Sequence, residues 1–175
     1  MTLYKRFRDI PQFVTWGGYA ADVPWDHIER TIENFGSGLN LEMDPDFQRA
    51  HVWSQSQQVA YVEFILRGGQ SSRAILWNAP GWPRHVPGAS LVLVDGKQRL
   101  EAVRRFMNNE IPAFGSRFSD FTDRLPMTGP SFRFHVNSLK TRREVLQWYL
   151  DLNTGGTVHT SEEIAKVRDM LGKEE

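Results

Sequence analysis

Residues 91 to 106, "LVLVDGKQRLEAVRRF", limit the fold more than any other stretch of the chain. Four apolar residues in a row read as a short buried strand, Leu91 to Val94. The pattern then breaks at Asp95-Gly96. It resumes at helical spacing from about Lys97 to Asn108, with Leu100, Val103 and Phe106 or Met107 on one face. A strand entering a helix through Asp-Gly leaves backbone N–H groups exposed at the helix start, where the macrodipole favours an anion. Two readings compete for this corner. It is either an ordinary turn with solvated charges or a grip for phosphate. In the second, Gly96 allows close backbone approach, Arg99 offers a bidentate fork and Lys97 a point charge. Asp95 would hold a divalent metal or orient a nucleophile. It is not a P-loop, because Gln98 follows Lys97 and no glycine lies five residues before Gly96.

The remaining elements follow from spacing and punctuation. Residues 1–24 hold "TWGGYAADVP" and are expected to be irregular or briefly extended. Ile28, Ile32 and Phe35, with Gly36 as a stop, predict a short helix. Ser54 with Gln57 marks a capped helix that ends at Gly68-Gly69. Residues 73–77 and 132–136 read as strands, with a Pro/Gly loop over 78–90 and a loop-rich region over 110–130. Thr141 with Glu144, and Thr160 with Glu163, start two further helices on either side of "NTGGT". The sum is an α+β domain over 1–175 with its core at about 25–171, a small mixed sheet and four to five helices.

Composition sets the outer bounds. With 40% hydrophobic residues in 175, the chain can bury a sizeable core, and no apolar run is long enough to span a membrane. No apolar stretch follows the charged opening "MTLYKRFRDI", so a secretory leader is not expected and a cytoplasmic location is the default. The absence of cysteine excludes disulfides, thiolate metal sites and thiol catalysis. The five histidines are dispersed, so a structural zinc site is not expected. Zero net charge limits any nucleic-acid contact to a local patch. Six Trp and eleven Phe leave room for a stacking surface beside the core.

Two more stretches carry candidate chemistry. "MDPDFQRAHVW" sets Asp44, Asp46, Gln48, Arg49 and His51 in one loop beside Phe47 and Trp53, which must bury something and would pin the polar residues in place. Its plain alternative is solvated turn chemistry around Asp-Pro. "DLNTGGT" is either a Gly-rich helix linker or a small phosphate-holding nest.

Taken in order, "PDFQRAHVWSQSQQVAYVEFIL", "LVLVDGKQRLEAVRRF" and "LDLNTGGTVHTSEEI" resemble the N-terminal domain of GmrSD-type modified-DNA restriction proteins, in the ParB/sulfiredoxin superfamily. That domain carries the signature Asp-Gly-Gln-Gln-Arg, and the resemblance spans roughly residues 40–170. Asp95, Gly96, Gln98 and Arg99 match the signature, with Lys97 in place of its first Gln. Gln48 and Arg49 match the first motif, and Asn153, Thr154 and Gly155 the third. The HNH nuclease domain that follows in GmrSD proteins has no counterpart in these residues, nor does the catalytic cysteine of sulfiredoxin.

The resemblance implies use of a nucleoside triphosphate, ATP or another, with Mg²⁺, to be bound or hydrolysed at the strand-end Gly/Arg motif. On this basis the expected function is a phosphotransferase acting on DNA, with the hydroxymethyl group of a modified pyrimidine as acceptor. The alternative is a triphosphate-binding or hydrolysing module of a modified-DNA restriction or sensing system, and a direct nuclease ranks last. Arg99, Lys97 and Arg49 would neutralise phosphate, while Asp95 or Asp46 would hold Mg²⁺ or accept the hydroxyl proton. Trp53, Trp77 or Trp82 would stack on an exposed base, with Arg84 and His85 at the tip of a DNA-facing loop. Arg99 is expected to point out of the core. The sequence leaves the oligomeric state open.

Overall fold

The computed structural model describes residues 5–6, 10, 19–48, 53–82, 84, 86, 88–126, 129–154 and 161–174. In chain order these form β1 (Tyr19–Pro24), α1 (Ile28–Gly36), β2 (Asn40–Glu42), α2 (Gln55–Leu66), β3 (Ala74–Asn78), β4 (Ser90–Asp95), α3 (Lys97–Met107), β5 (Ser131–Asn137), α4 (Arg142–Thr154) and α5 (Ser161–Gly172). One mixed sheet runs β1-β5-β3-β4-β2. Its β1/β5 and β3/β4 pairs are antiparallel, and its β5/β3 and β4/β2 pairs are parallel. The α+β class expected from the sequence is what the chain adopts.

Strand alternation divides the core between the two faces of the sheet. Ile75, Trp77, Leu91, Leu93, Phe132 and Phe134 pack with Ile28 and Ile32 of α1, Val62 and Ile65 of α2, and Leu100, Val103 and Phe106 of α3. Val92, Val94 and Leu76 face the other way, onto Leu146, Tyr149 and Leu150 of α4 and Val167 of α5. The strand register thus decides which side of β4 each neighbouring residue serves.

The helix starts follow their caps. Ser54 accepts the N–H of Gln57 at 3.3 Å while the Gln57 side chain accepts the N–H of Ser54 at 2.8 Å. Thr141 and Glu144 repeat this exchange at α4. The backbone N–H groups of Thr141 and Lys140 hold the Glu144 carboxyl below the usual carboxylate range. The Thr160 cap lies outside the described residues.

Two strands were not legible in the sequence. Tyr19–Pro24 is an edge strand paired along its whole length with β5, so these residues take the extended form among the two expected for 1–24, but as part of the sheet. Its Gly and Pro residues flank the strand rather than interrupt it, and its partner lies more than a hundred residues away. β2 is three residues long, too short to show any period. Among the described residues no helix is long and apolar enough to cross a membrane.

Candidate functional site

The chain leaves β4 through Gly96, which has a φ of +103°. A Cβ at this position would stand 2.5 Å from Cδ1 of Ile75 and 3.2 Å from the carbonyl oxygen of Ala74. Both the left-handed backbone and the close approach to β3 therefore require glycine. The Gly96 carbonyl accepts the N–H of Leu100 at 2.9 Å, so α3 starts directly from the turn. Its first-turn N–H groups lie beyond the reach of intrahelical acceptors.

Arg99, one turn into α3, pairs with Asp95 at the end of β4. The Arg99 side chain is only 19% exposed, against 40% for Asp95. The expectation that Arg99 points out of the core is corrected accordingly: its stem lies in the protein and its head meets Asp95. The Nε of Arg99 is buried and has no hydrogen-bond partner. A buried donor left unsatisfied costs about 1–3 kcal/mol, and more in a charged group, so this arrangement favours an added acceptor.

The loop after β2 is fastened to this corner. Nε2 of Gln48 donates to the Leu93 carbonyl at 2.5 Å, Lys97 pairs with Asp44, and the N–H of Trp53 donates to Oε1 of Gln98 at 3.1 Å. Phe47 is buried against Tyr149 of α4, with ring centroids 5.1 Å apart. The Tyr149 carbonyl in turn accepts Nδ2 of Asn153 at 2.7 Å. The described parts of the first two motifs thus meet around the end of β4, with Phe47 and Trp53 packed beside the loop, while Asn153 of the third bonds within its own helix. Thr154 is the last residue of α4, while Arg49, His51 and Gly155 lie outside the described residues.

Asp46 is drawn elsewhere. Both its carboxylate oxygens accept from Arg142 of α4, at 2.8 and 2.9 Å, and its carbonyl accepts Nζ of Lys166 of α5 at 2.8 Å. Arg142 also reaches Glu174 at 3.1 Å. The structure therefore places Asp95 at the corner and ties Asp46 to the C-terminal helices.

One residue that the sequence did not single out, Tyr61, feels the charge of Arg99. Tyr61 of α2 is buried, and its hydroxyl donates to the Ser72 carbonyl at 2.8 Å. Burial pushes its pKa above the usual tyrosine range, opposed by the charges of Arg99 and Arg73. Trp53 packs on the Tyr61 ring at 5.3 Å. The only trace of this wall in the sequence is "RGGQSSR", residues 67–73, where the Gly pair reads as nothing more than a helix stop.

The expected nucleic-acid residues lie at the other end of the sheet. Trp82 follows β3, and its ring sits 5.2 Å from Phe35 and 5.8 Å from Tyr19. Arg84 is exposed, and its N–H donates to the Gly81 carbonyl at 2.7 Å. His85 lies outside the described residues. β4 spans the sheet with six residues, which at strand rise separates the two ends by roughly 20 Å. Trp77 has no exposure and packs on Phe134, so it offers no stacking face.

Asp95 fits a magnesium ion of one kind, an ion carried on phosphate oxygens with one protein carboxylate added. Among the described residues no three His, Asp or Glu converge as a self-sufficient metal cage. No family model, curated protein or solved structure matches the chain.

Proposed function

We propose that the β4–α3 corner binds the phosphates of a nucleoside triphosphate with Mg²⁺, and that the protein is a phosphotransferase of the ParB/sulfiredoxin kind with a DNA hydroxyl as acceptor. The observation that carries the nucleotide half is the buried, unpartnered Nε of Arg99 beside a helix start that only glycine permits. Phosphate oxygens supply the missing acceptor, and Arg forks suit them geometrically. Lys97 adds a point charge at the same helix start.

Phosphoryl transfer asks mainly for positioning and charge neutralisation. Arg99 and Lys97 neutralise phosphate oxygens, and Arg49 joins them by its place in the first motif. Asp95 pairs with Arg99. An arriving triphosphate would take over the guanidinium and release the carboxylate to the bound Mg²⁺. That ion, when bound, offsets the negative charge on the phosphates. The acceptor, a hydroxymethyl group on a modified pyrimidine, rests on the resemblance of the three motifs. A base presented at this corner would meet Trp53 rather than Trp82, given the length of the sheet.

One observation favours a second reading, a module that binds or hydrolyses a triphosphate without transferring it. With Asp46 held by Arg142, Asp95 would have to serve both as metal ligand and as proton acceptor. Simple binding makes no such double demand, whereas hydrolysis shares it, since the attacking water must also give up a proton. The test supplies ATP and GTP labelled on the γ-phosphate, with Mg²⁺, to the protein together with unmodified, hydroxymethylcytosine and hydroxymethyluracil DNA. Label on one DNA alone establishes the base-specific kinase and names its acceptor. Label released only as free phosphate establishes the hydrolysing module, and no release with measurable binding establishes the binding module. A protein that neither binds nor turns over any triphosphate ends both readings.

A further inference from the structure

We infer that Arg73, in the loop between α2 and β3, is a second phosphate-binding cation that forms with Arg99 a clamp for a polyphosphate chain rather than for a single phosphate. The inference rests on the nucleotide reading above and deepens it.

Topology brings the loop to the corner. β3 runs antiparallel to β4, so it begins where β4 ends, with Leu76 opposite Asp95. Gly96 is packed against the Ala74 carbonyl and the Cα of Ile75, one and two residues after Arg73. Ile75 and Trp77 face α2 and α3, and strand alternation directs Arg73 to the same side.

Tyr61 is linked to both cations. Its hydroxyl is bonded to the carbonyl of Ser72, the residue before Arg73, and both Arg73 and Arg99 lie near enough to act on its charge. Two guanidinium groups therefore converge on one buried phenol from two different elements. Arg99 has a carboxylate partner in Asp95. Arg73 donates Nε to the Gly69 carbonyl at 2.7 Å, and no carboxylate pairs with it among the described residues. This bond holds the stem and leaves the terminal nitrogens of the fork available.

Like charges held this close repel unless an anion lies between them. Two cations from different elements near one tyrosine suit a ligand with successive charged groups, which a chain of phosphates supplies. The loop itself is polar and bent, with Gln70, Ser71 and Ser72 exposed and Ser72 at a φ of +58°.

Calorimetry of ATP, AMP and inorganic tripolyphosphate, each with Mg²⁺, against wild type, Arg73→Gln and Arg73→Lys tests the clamp. Losing charge-assisted bonds should weaken ATP and tripolyphosphate by roughly 10- to 100-fold in Arg73→Gln and leave AMP unchanged. Arg73→Lys keeps the charge without the fork, should fold as wild type does, and should recover only part of the loss. Equal ATP affinity in wild type and either folded variant overturns the clamp and leaves the nucleotide reading intact. Arg73-dependent binding of tripolyphosphate, with ATP bound no better than the bare chain, keeps the clamp and removes the nucleotide. Wild type that binds neither overturns both.

Discussion

The two ends of the sheet use their side chains in opposite ways. At the end where β3 gives way to the 79–89 loop, Tyr19, Phe35 and Trp82 pack on one another and on the core through Phe134. The rings there contact one another, with Phe35 and Trp82 half-buried and Tyr19 exposed. At the end where β4 meets α3, polar groups dominate, and one buried donor, Nε of Arg99, remains without a partner. Residues that complete one another's contacts stabilise a fold. A group left incomplete inside the protein marks where a ligand would lower the free energy. Ring packing is thus the signal at the first end, and an incompletely paired charged side chain is the signal at the second.

The largest expected effect tests the polar end. Arg99→Ala should reduce triphosphate affinity by at least roughly 10- to 100-fold, the equivalent of one or two charge-assisted bonds. Because the pair with Asp95 is partly exposed, its loss should cost no more than about 1 kcal/mol of stability. Titration of a labelled nucleotide and a urea denaturation curve on the same variant separate the two numbers. Undiminished affinity in a folded Arg99→Ala protein would remove the phosphate role from the corner.

Trp82→Ala makes the reciprocal test. Trp82 is half-buried in its aromatic group, so truncation should cost about 2 kcal/mol, below the range for a fully buried ring. Triphosphate affinity should stay within about twofold, since the rings lie a full strand length from the corner. If the variant keeps its stability but loses DNA binding, the comparison breaks, and the aromatic end becomes a stacking surface after all.

A smaller effect separates the two acidic candidates. Asp46→Asn removes an exposed charge pair with Arg142, whose side-chain exposures are 59% and 41%. The expected loss is about 0.5–1 kcal/mol, with turnover close to that of wild type. Asp95→Asn should instead abolish Mg²⁺-dependent turnover while strengthening metal-free binding of tripolyphosphate, because Arg99 is then released from its carboxylate. Equal effects of the two substitutions on turnover would show that Asp46 reaches the corner in the working protein.

How much of this was legible beforehand depended on the range of the interactions involved. The capping boxes at Ser54 and Thr141 and the strand-to-helix switch at Gly96 are local, and the sequence displays them directly. The convergence of the first two motifs was foreshadowed by Phe47 and Trp53, apolar residues set among polar ones. The capture of Asp46 by Arg142, 96 residues away, leaves no local trace. Arg73 and Tyr61 join the corner only through the antiparallel pairing of β3 with β4 and the packing of α2, neither of which any short window contains. β1 was obscured in the same way, since its partner comes more than a hundred residues later. The aromatic group around Trp82 left no local trace either, since Phe35 and Tyr19 come from distant parts of the chain.

The smallest expected effect is at His135 of β5, two strands from Asp95 in the row that passes through Leu76. In the register its neighbours are Ala20 of β1 and Leu76 of β3, with Arg133 on the same face of its own strand and Asp22 across from Arg133. Burial lowers the His135 pKa below its ordinary value, Arg133 lowers it further, and Asp22 partly opposes both. The unfolded chain therefore takes up this proton at a higher pH than the folded one does. Its contribution to stability is complete above the ordinary histidine value of 6.5. It declines as the pH falls from there toward the lowered folded value. His135→Gln should flatten that shallow acid-side slope of the denaturation free energy and leave the curve above neutrality unchanged. Triphosphate affinity per folded molecule should be the same in both proteins at every pH, because His135 belongs to the sheet and not to the corner. A slope that persists in the variant assigns the acid sensitivity to other groups. A changed affinity would instead couple β5 to the phosphate site, and the division between the two ends of the sheet would then be one of degree.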